Sequence, residues 1–227
     1  MSGPGSLKNL WRVGYHADPL NFTPHHLYDW SHRFDDAQHQ FRSVYACRQQ
    51  ETALREVLAD LRPNAAAIAR FVEKFGEDAR EELETEPITE AWRRRNVLAP
   101  AEVVPEDARV LDLTAPATAH ELEVAHAQLL DAHGLEHLDL HEITTRRRVV
   151  TQTIAADVYR RLDVAVVYFL SSRDGGECFA VLEGHAELAA TGPHVALTDP
   201  APPALVTVAK EWGLNLAPAP RDLVGGL

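Results

Sequence analysis

The sequence has little cysteine, no long apolar run and a deficit of positive charge, and each shortage removes a class of function. Cys47 and Cys178 are the two cysteines in 227 residues, too few for a disulfide framework. That usage fits a reducing cytoplasm. No stretch offers the roughly 18 apolar residues that a membrane helix needs. The opening MSGPGSLKNLW also has no apolar core of the kind a secretion signal carries. Lys and Arg total 22 against 34 Asp and Glu, a formal charge of −12. Direct nucleic-acid binding is therefore not expected, because a phosphate backbone demands a net basic face. An anionic ligand would have to be held by a local cluster of arginines. The common catalytic signatures are missing too: there is no GxGxxG, GxxxxGK(S/T), HExxH, paired CxxC or GxSxG.

What is present suffices for a core. Hydrophobic residues make up 45% and charged residues 25%, as in ordinary soluble globular domains, and one domain accommodates this length. LWRVGY (10–15) reads as an opening strand. FRSVYAC (41–47) alternates, with Phe41, Ser43, Tyr45 and Cys47 on one face and Arg42, Val44 and Ala46 on the other. ETALREVLADL follows as an amphipathic helix, with Leu54, Leu58 and Leu61 at helical spacing and Pro63 as its stop. The segment 64–99 reads as helical and charged, a solvated face. A strand is expected at 108–113, a helix at 117–132, and another helix from Thr144 or Thr145. VAVVYFL (164–170) and CFAVLEG (178–184) read as buried strands joined by SSRDGGE. The proline-rich end reads as a loose edge with one helix at 202–211. The fold class is thus α/β in the mixed α+β sense, without strict βαβ repetition: a flexible 1–9, a main body over 10–190, and a proline-rich extension over 191–227 packed on or trailing it.

Histidine is plentiful, with 12 copies, and His137 and His141 stand four apart. The leucines around them alternate, which suits a strand or loop, so they read as polar surface residues and no metal site is expected. Cys47 and Cys178 read as small buried thiols.

The order of short motifs says more than any one of them. WRV comes first, then RFD, a strand bearing tyrosine, a helix ALREVL, and far downstream a strand ending in serine before RDGGECFAVLEG. This order resembles the RES-domain family, named for arginine, glutamate and serine, over roughly residues 10–190. The resemblance implies a fold similar to ADP-ribosyltransferases, with mixed sheets flanked by helices. It implies an enzyme that destroys NAD by phosphorolysis or hydrolysis, as the toxin of a toxin–antitoxin pair whose partner is an Xre-type helix-turn-helix antitoxin. No cofactor beyond substrate NAD is implied, with inorganic phosphate as a candidate co-substrate; self-association is left open. Onto this chain the resemblance carries Arg33 and Glu56 as catalytic residues, with Arg12, Arg33, Tyr45 and Ser171 binding NAD. SSRDGG leaves the serine open between Ser171 and Ser172, and RFDDAQHQF departs from the glycine- and proline-containing turn common in the family.

These residue types suit the chemistry. Arginine forks grip a pyrophosphate through paired, charge-assisted hydrogen bonds. Cleaving the nicotinamide–ribose bond builds positive charge on the sugar, which a nearby carboxylate such as Glu56 stabilises more in the transition state than in the ground state. Glu56 sits close to the leucine stripe, whereas Arg55 and Glu51 look better placed for solvent. Tyr45 offers a flat face and a hydroxyl. An exposed arginine at Arg12 or a core tyrosine at Tyr45 would explain those two residues equally well. A mono-ADP-ribosyltransferase, or a non-catalytic nucleotide-binding module of the same fold, would use the same residues.

Overall fold

The computed structural model describes residues 6–78, 87–138 and 148–216. It is a mixed α/β single domain built on one eight-stranded sheet flanked by helices. In chain order the main elements are β1 (Leu10–Tyr15), β2 (Ser43–Cys47), α1 (Gln50–Leu58), α2 (Ala65–Phe75), α3 (Glu90–Arg95), β3 (Asn96–Val104) and β4 (Val110–Asp112). Then follow α4 (Pro116–Ala125), α5 (Ala127–Ala132), α6 (Arg148–Leu162), β5 (Val166–Leu170), β6 (Glu177–Leu182), β7 (Glu187–Ala190), β8 (Val195–Ala196) and α7 (Pro203–Trp212). The sheet runs β4-β5-β6-β2-β1-β3-β7, with β8 also on β3. β4 and β5 are parallel and the other pairings antiparallel.

The alternation expected for 41–47 decides how β2 sits. Phe41, Tyr45 and Cys47 join the large core formed with helices α1, α4, α6 and α7, whereas Val44 and Ala46 face a second core on the other side of the sheet. Leu54 and Leu58, both fully buried, seat α1 on the first of these. Burying each such leucine contributes about 1.5–3 kcal/mol.

Several expectations change against this architecture. The charged segment 64–99 is not helical throughout: β3 starts at Asn96, so NVLAPAEVV is a nine-residue strand. Pro100 in its middle disguises it. The Pro100 carbonyl accepts from Thr191 N at 3.2 Å on the β7 side, and this position falls between the residues paired with β8 and with β7. The missing N–H therefore faces a break in the ladder, where no donor is needed. The helix expected at 117–132 is interrupted at His126, whose φ of −118° and ψ of 22° leave the helical region. The helix expected at 202–211 is present as α7, and it is no loose edge, since its Leu205 and Val208 are fully buried in the main core. The expected helix start at Thr144 or Thr145 lies outside the described residues, as does His141.

One irregularity shapes the site. β1 and β2 are neighbours, yet they are in register at a single position, Trp11 opposite Cys47. Beyond it the strands part, and Arg12 spans the opening. Its Nε donates to Pro19 O at 2.9 Å and its NH1 to Tyr45 O at 3.0 Å, supplying a donor to a strand carbonyl that has lost its neighbour. Gly14 lets the two segments approach, because a Cβ there would sit 2.2 Å from Pro19 O. Gly14→Ala must therefore push backbone aside. We expect a loss of about 1–3 kcal/mol, read as a lower denaturation midpoint. An unchanged midpoint would mean that the Pro19 segment shifts freely.

Candidate active site

The parting of β1 and β2 opens a cleft of about 950 Å³, a size that holds a large organic ligand. Its walls include Arg12, Arg33, Tyr45, Glu56 and Ser172, five strand, loop and helix positions apart in sequence and brought together here. Each is placed by an identifiable local cause. Tyr45 lies on the large-core face of β2, its ring edge-on to Phe169 of β5 at 6.1 Å between centroids. Its hydroxyl accepts from Phe34 N at 3.1 Å, which pins the turn carrying Arg33. Burial pushes the Tyr45 phenol above its ordinary value, so it stays neutral. Glu56 is half-buried on α1, offset from the Leu54–Leu58 stripe towards the cleft.

Ser171 follows β5 directly and is 4% exposed. Its Oγ donates to Glu56 Oε1 at 2.5 Å and accepts from Arg173 N at 3.0 Å. Ser172 is exposed and lines the cleft, whereas Ser171 stands behind the carboxylate. The two serines left open by the sequence thus occupy different places: Ser171 on the acid, Ser172 on the wall.

Several arginines gather along this cleft despite the acidic chain: Arg12, Arg33, Arg148 and Arg173 all line it. Burial pulls the Arg33 guanidinium below its ordinary value; the nearby Tyr45 and Glu56 oppose that shift, and Arg148 and Arg173 add to it. Arg33 remains charged at neutral pH regardless. Arg148 also donates to Ser31 O, holding the start of α6 against the Arg33 loop. Among the described residues the Arg173 side chain has no partner, and it faces the cleft. Arg12 differs. Burial lowers it, and two of its donors are already committed to backbone carbonyls.

Three features were not anticipated. His32 lines the cleft beside Arg33, its Nδ1 3.2 Å from Asp35 Oδ2, and its ring lies 5.6 Å from that of Tyr45 between centroids. Arg148 was hidden in the run RRR, read only as the start of a helix. Arg55, expected in solvent, has a side chain only 13% exposed and bonds Asp174 and Glu211. Nothing local in the sequence marks that burial, because its partners lie 119 and 156 positions away. Among the described residues no group of three His, Cys, Asp or Glu is placed to hold a metal ion, and His137 pairs with Glu123 at 3.6 Å. No described helix is long and apolar enough to cross a membrane.

No curated protein sequence gives a significant match. Among solved structures, the chain is similar to one in the crystal structure of the M. tuberculosis MbcT–MbcA toxin–antitoxin complex, with 18% identity, 84% of each chain covered and a TM-score of 0.46. A family model described as the RES domain matches residues 9–201, most of the length and every element from β1 to β8, and by that match the chain belongs to the RES domain family.

Proposed function

We propose that this protein cleaves NAD at the nicotinamide–ribose bond and passes the ADP-ribosyl group to phosphate or water. The observation that carries the reading is the convergence of Arg33, Tyr45 and Glu56 on one cleft, with Ser171 bonded to the acid. Family membership brings the expectation of NAD chemistry onto the chain, and the cleft has the parts such chemistry needs. In the reaction the C1″–N bond breaks and its electron pair stays on nicotinamide, neutralising the pyridinium. An oxygen of phosphate or water bonds C1″ and releases a proton. Glu56 would face the sugar as positive charge develops, and charge on a fixed group is worth most where it meets charge that forms only in the transition state. Arg33 and Arg173 would hold the pyrophosphate. Arg12 would act mainly by keeping β1 and β2 apart, and Tyr45 by presenting its ring to the ligand.

The direct test is purified protein with NAD in phosphate and in phosphate-free buffer. Nicotinamide release is expected, with ADP-ribose 1″-phosphate as partner product if phosphate is the acceptor and ADP-ribose if water is. Label appearing on protein or nucleic acid would assign transfer to a macromolecule instead. NAD that shifts the melting temperature but is never consumed would leave a binding module and overturn the reading. The family expectation extends to a toxin held by an Xre-type helix-turn-helix antitoxin. A small Xre-type protein encoded beside this chain, when mixed with it, is then expected to stop nicotinamide release.

A further inference from the structure

Glu56 approaches the cleft from α1, which the core holds through Ala53, Leu54 and Leu58, none of them beside the carboxylate itself. What fixes the carboxylate is the β5–β6 turn, residues 171–176. That turn is closed on itself, with Ser171 N donating to Gly176 O at 2.8 Å and Gly175 N to Ser171 O at 2.9 Å. Asp174 locks it to α1. Its Oδ1 accepts from Gly176 N at 3.0 Å, and its Oδ2 accepts from Thr52 Oγ1 at 2.9 Å and Arg55 NH1 at 2.7 Å. The approach is close enough that a Cβ on Gly176 would meet Thr52 Oγ1 at 2.3 Å. Arg55 then reaches on to α7, its NH2 donating to Glu211 Oε2 at 2.5 Å. Burial alone would raise the Asp174 carboxyl, but hydrogen bonds from Gly176, Thr52 and Arg55 outweigh it and hold the group below its ordinary value. The chain of bonds therefore runs Glu211–Arg55–Asp174, through the turn, to Ser171 and Glu56. Its far end lies at residue 211, beyond the 9–201 span of the family match.

We infer that Asp174, Arg55 and Glu211 are positioning residues for Glu56, and that the helix beyond the family match is part of the machinery that sets the acid's geometry. The inference rests on the NAD-cleaving reading for its kinetic consequence. Arg55 is suited to the central place because its planar fork bonds two carboxylates at once from a single, largely shielded side chain. Lysine, a point charge, could satisfy only one of them well. Ser171 is the last link. Its hydroxyl is both donor to Glu56 and acceptor from the turn's own backbone, so a displaced turn moves the donor off the acid.

The test is a double-mutant cycle on turnover of NAD by the full chain. Asp174→Ala and Ser171→Ala are each expected to lower kcat about tenfold with KM changed little, and the double variant to be no slower than the slower single. Coupling of this size is usual for residues in one hydrogen-bond network. Glu211→Ala is expected to lower kcat less, and Glu211→Gln, which keeps the acceptor, to restore it. Asp174→Asn replaces the alanine variant if that one fails to fold. Multiplying effects of Asp174→Ala and Ser171→Ala overturn the inference, as does a full-speed Asp174→Ala. A wild-type chain that never consumes NAD defeats the functional reading instead. The inference is then judged by the ¹³C resonance of the Glu56 carboxyl, which must shift in Asp174→Ala and Glu211→Ala; a resonance at its wild-type position rejects it.

Discussion

Glu56→Gln is expected to leave a folded protein that no longer turns over NAD, with kcat down by about 10²–10⁴. The fold survives because glutamine keeps the acceptor that Ser171 uses, and Glu56 is only half-buried. Catalysis does not, because a neutral amide cannot stabilise the positive charge that appears on the ribose as nicotinamide leaves. The kinetic signature separates this role from ligand binding. An interaction made only in the transition state lowers kcat and kcat/KM together and leaves KM nearly alone. Arg33→Ala should show the contrasting pattern, a rise in KM alongside any fall in kcat, because a pyrophosphate grip is present in the ground state too. Single-turnover assays with denaturation curves run in parallel decide the matter. A Glu56→Gln chain that releases nicotinamide at the wild-type rate would remove the acid from the mechanism.

Much of this site was legible because its parts sit at joins. Tyr45 and Glu56 bracket a strand-to-helix passage, and such passages show in sequence as a change from alternation to helical spacing. β2 carries FRSVYAC in its expected phase, with Tyr45 and Cys47 to one core and Val44 and Ala46 to the other. Ser171 follows an apolar strand that sequence alone could place. What could not be read is what depends on distant partners. The arginine of ALREVL looks solvated until Asp174 and Glu211 are brought to it by the β5–β6 turn and by α7. Arg12 looks like one more basic group for a phosphate until the strands on either side of it part and Tyr45 O requires a donor. β3 is obscured for a third reason: a proline in mid-strand removes a ladder donor, and only the pairing shows that the absent N–H faces a gap. Local patterns fix elements and phase, whereas a charged side chain's role is set by whichever backbone or carboxylate tertiary folding delivers to it.

Asp35→Ala is expected to destabilise the fold by roughly 3–5 kcal/mol, and through the fold to loosen the arginine loop. Asp35 is fully buried and accepts from Tyr28 OH at 2.5 Å, Ser43 Oγ at 2.6 Å and His32 N at 2.8 Å, with His32 Nδ1 at 3.2 Å. Ser43 is itself buried, so removing the carboxylate strands its Oγ and N donors together with His32 N, at about 1–3 kcal/mol each, whereas Tyr28 OH can turn to Ser43 O at 2.9 Å. In a chain of this length that corresponds to a fall in Tm of about 6–20 °C. The pH dependence follows from the same contacts. Burial alone would raise the Asp35 carboxyl, but the hydrogen bonds from His32, Ser43 and Tyr28 outweigh it and hold the group below its ordinary value. A depressed carboxylate stabilises the fold at pH values above its unfolded pKa of about 3.9 and loses that contribution as pH falls through the folded value. The wild type should therefore weaken in acid more steeply than Asp35→Asn, and the gap between them should narrow below about pH 4. Arg33 lies two residues from Asp35 on the turn pinned by Tyr45 OH, so Asp35→Asn should also raise KM for NAD at neutral pH while the protein is still folded. Urea midpoints of both variants across pH 3–7, with KM measured at the upper end, check each step. Parallel acid profiles for wild type and Asp35→Asn would show that the carboxylate carries no such stability, and the rigidity of the arginine loop would then have to come from Tyr45 and Arg148 alone.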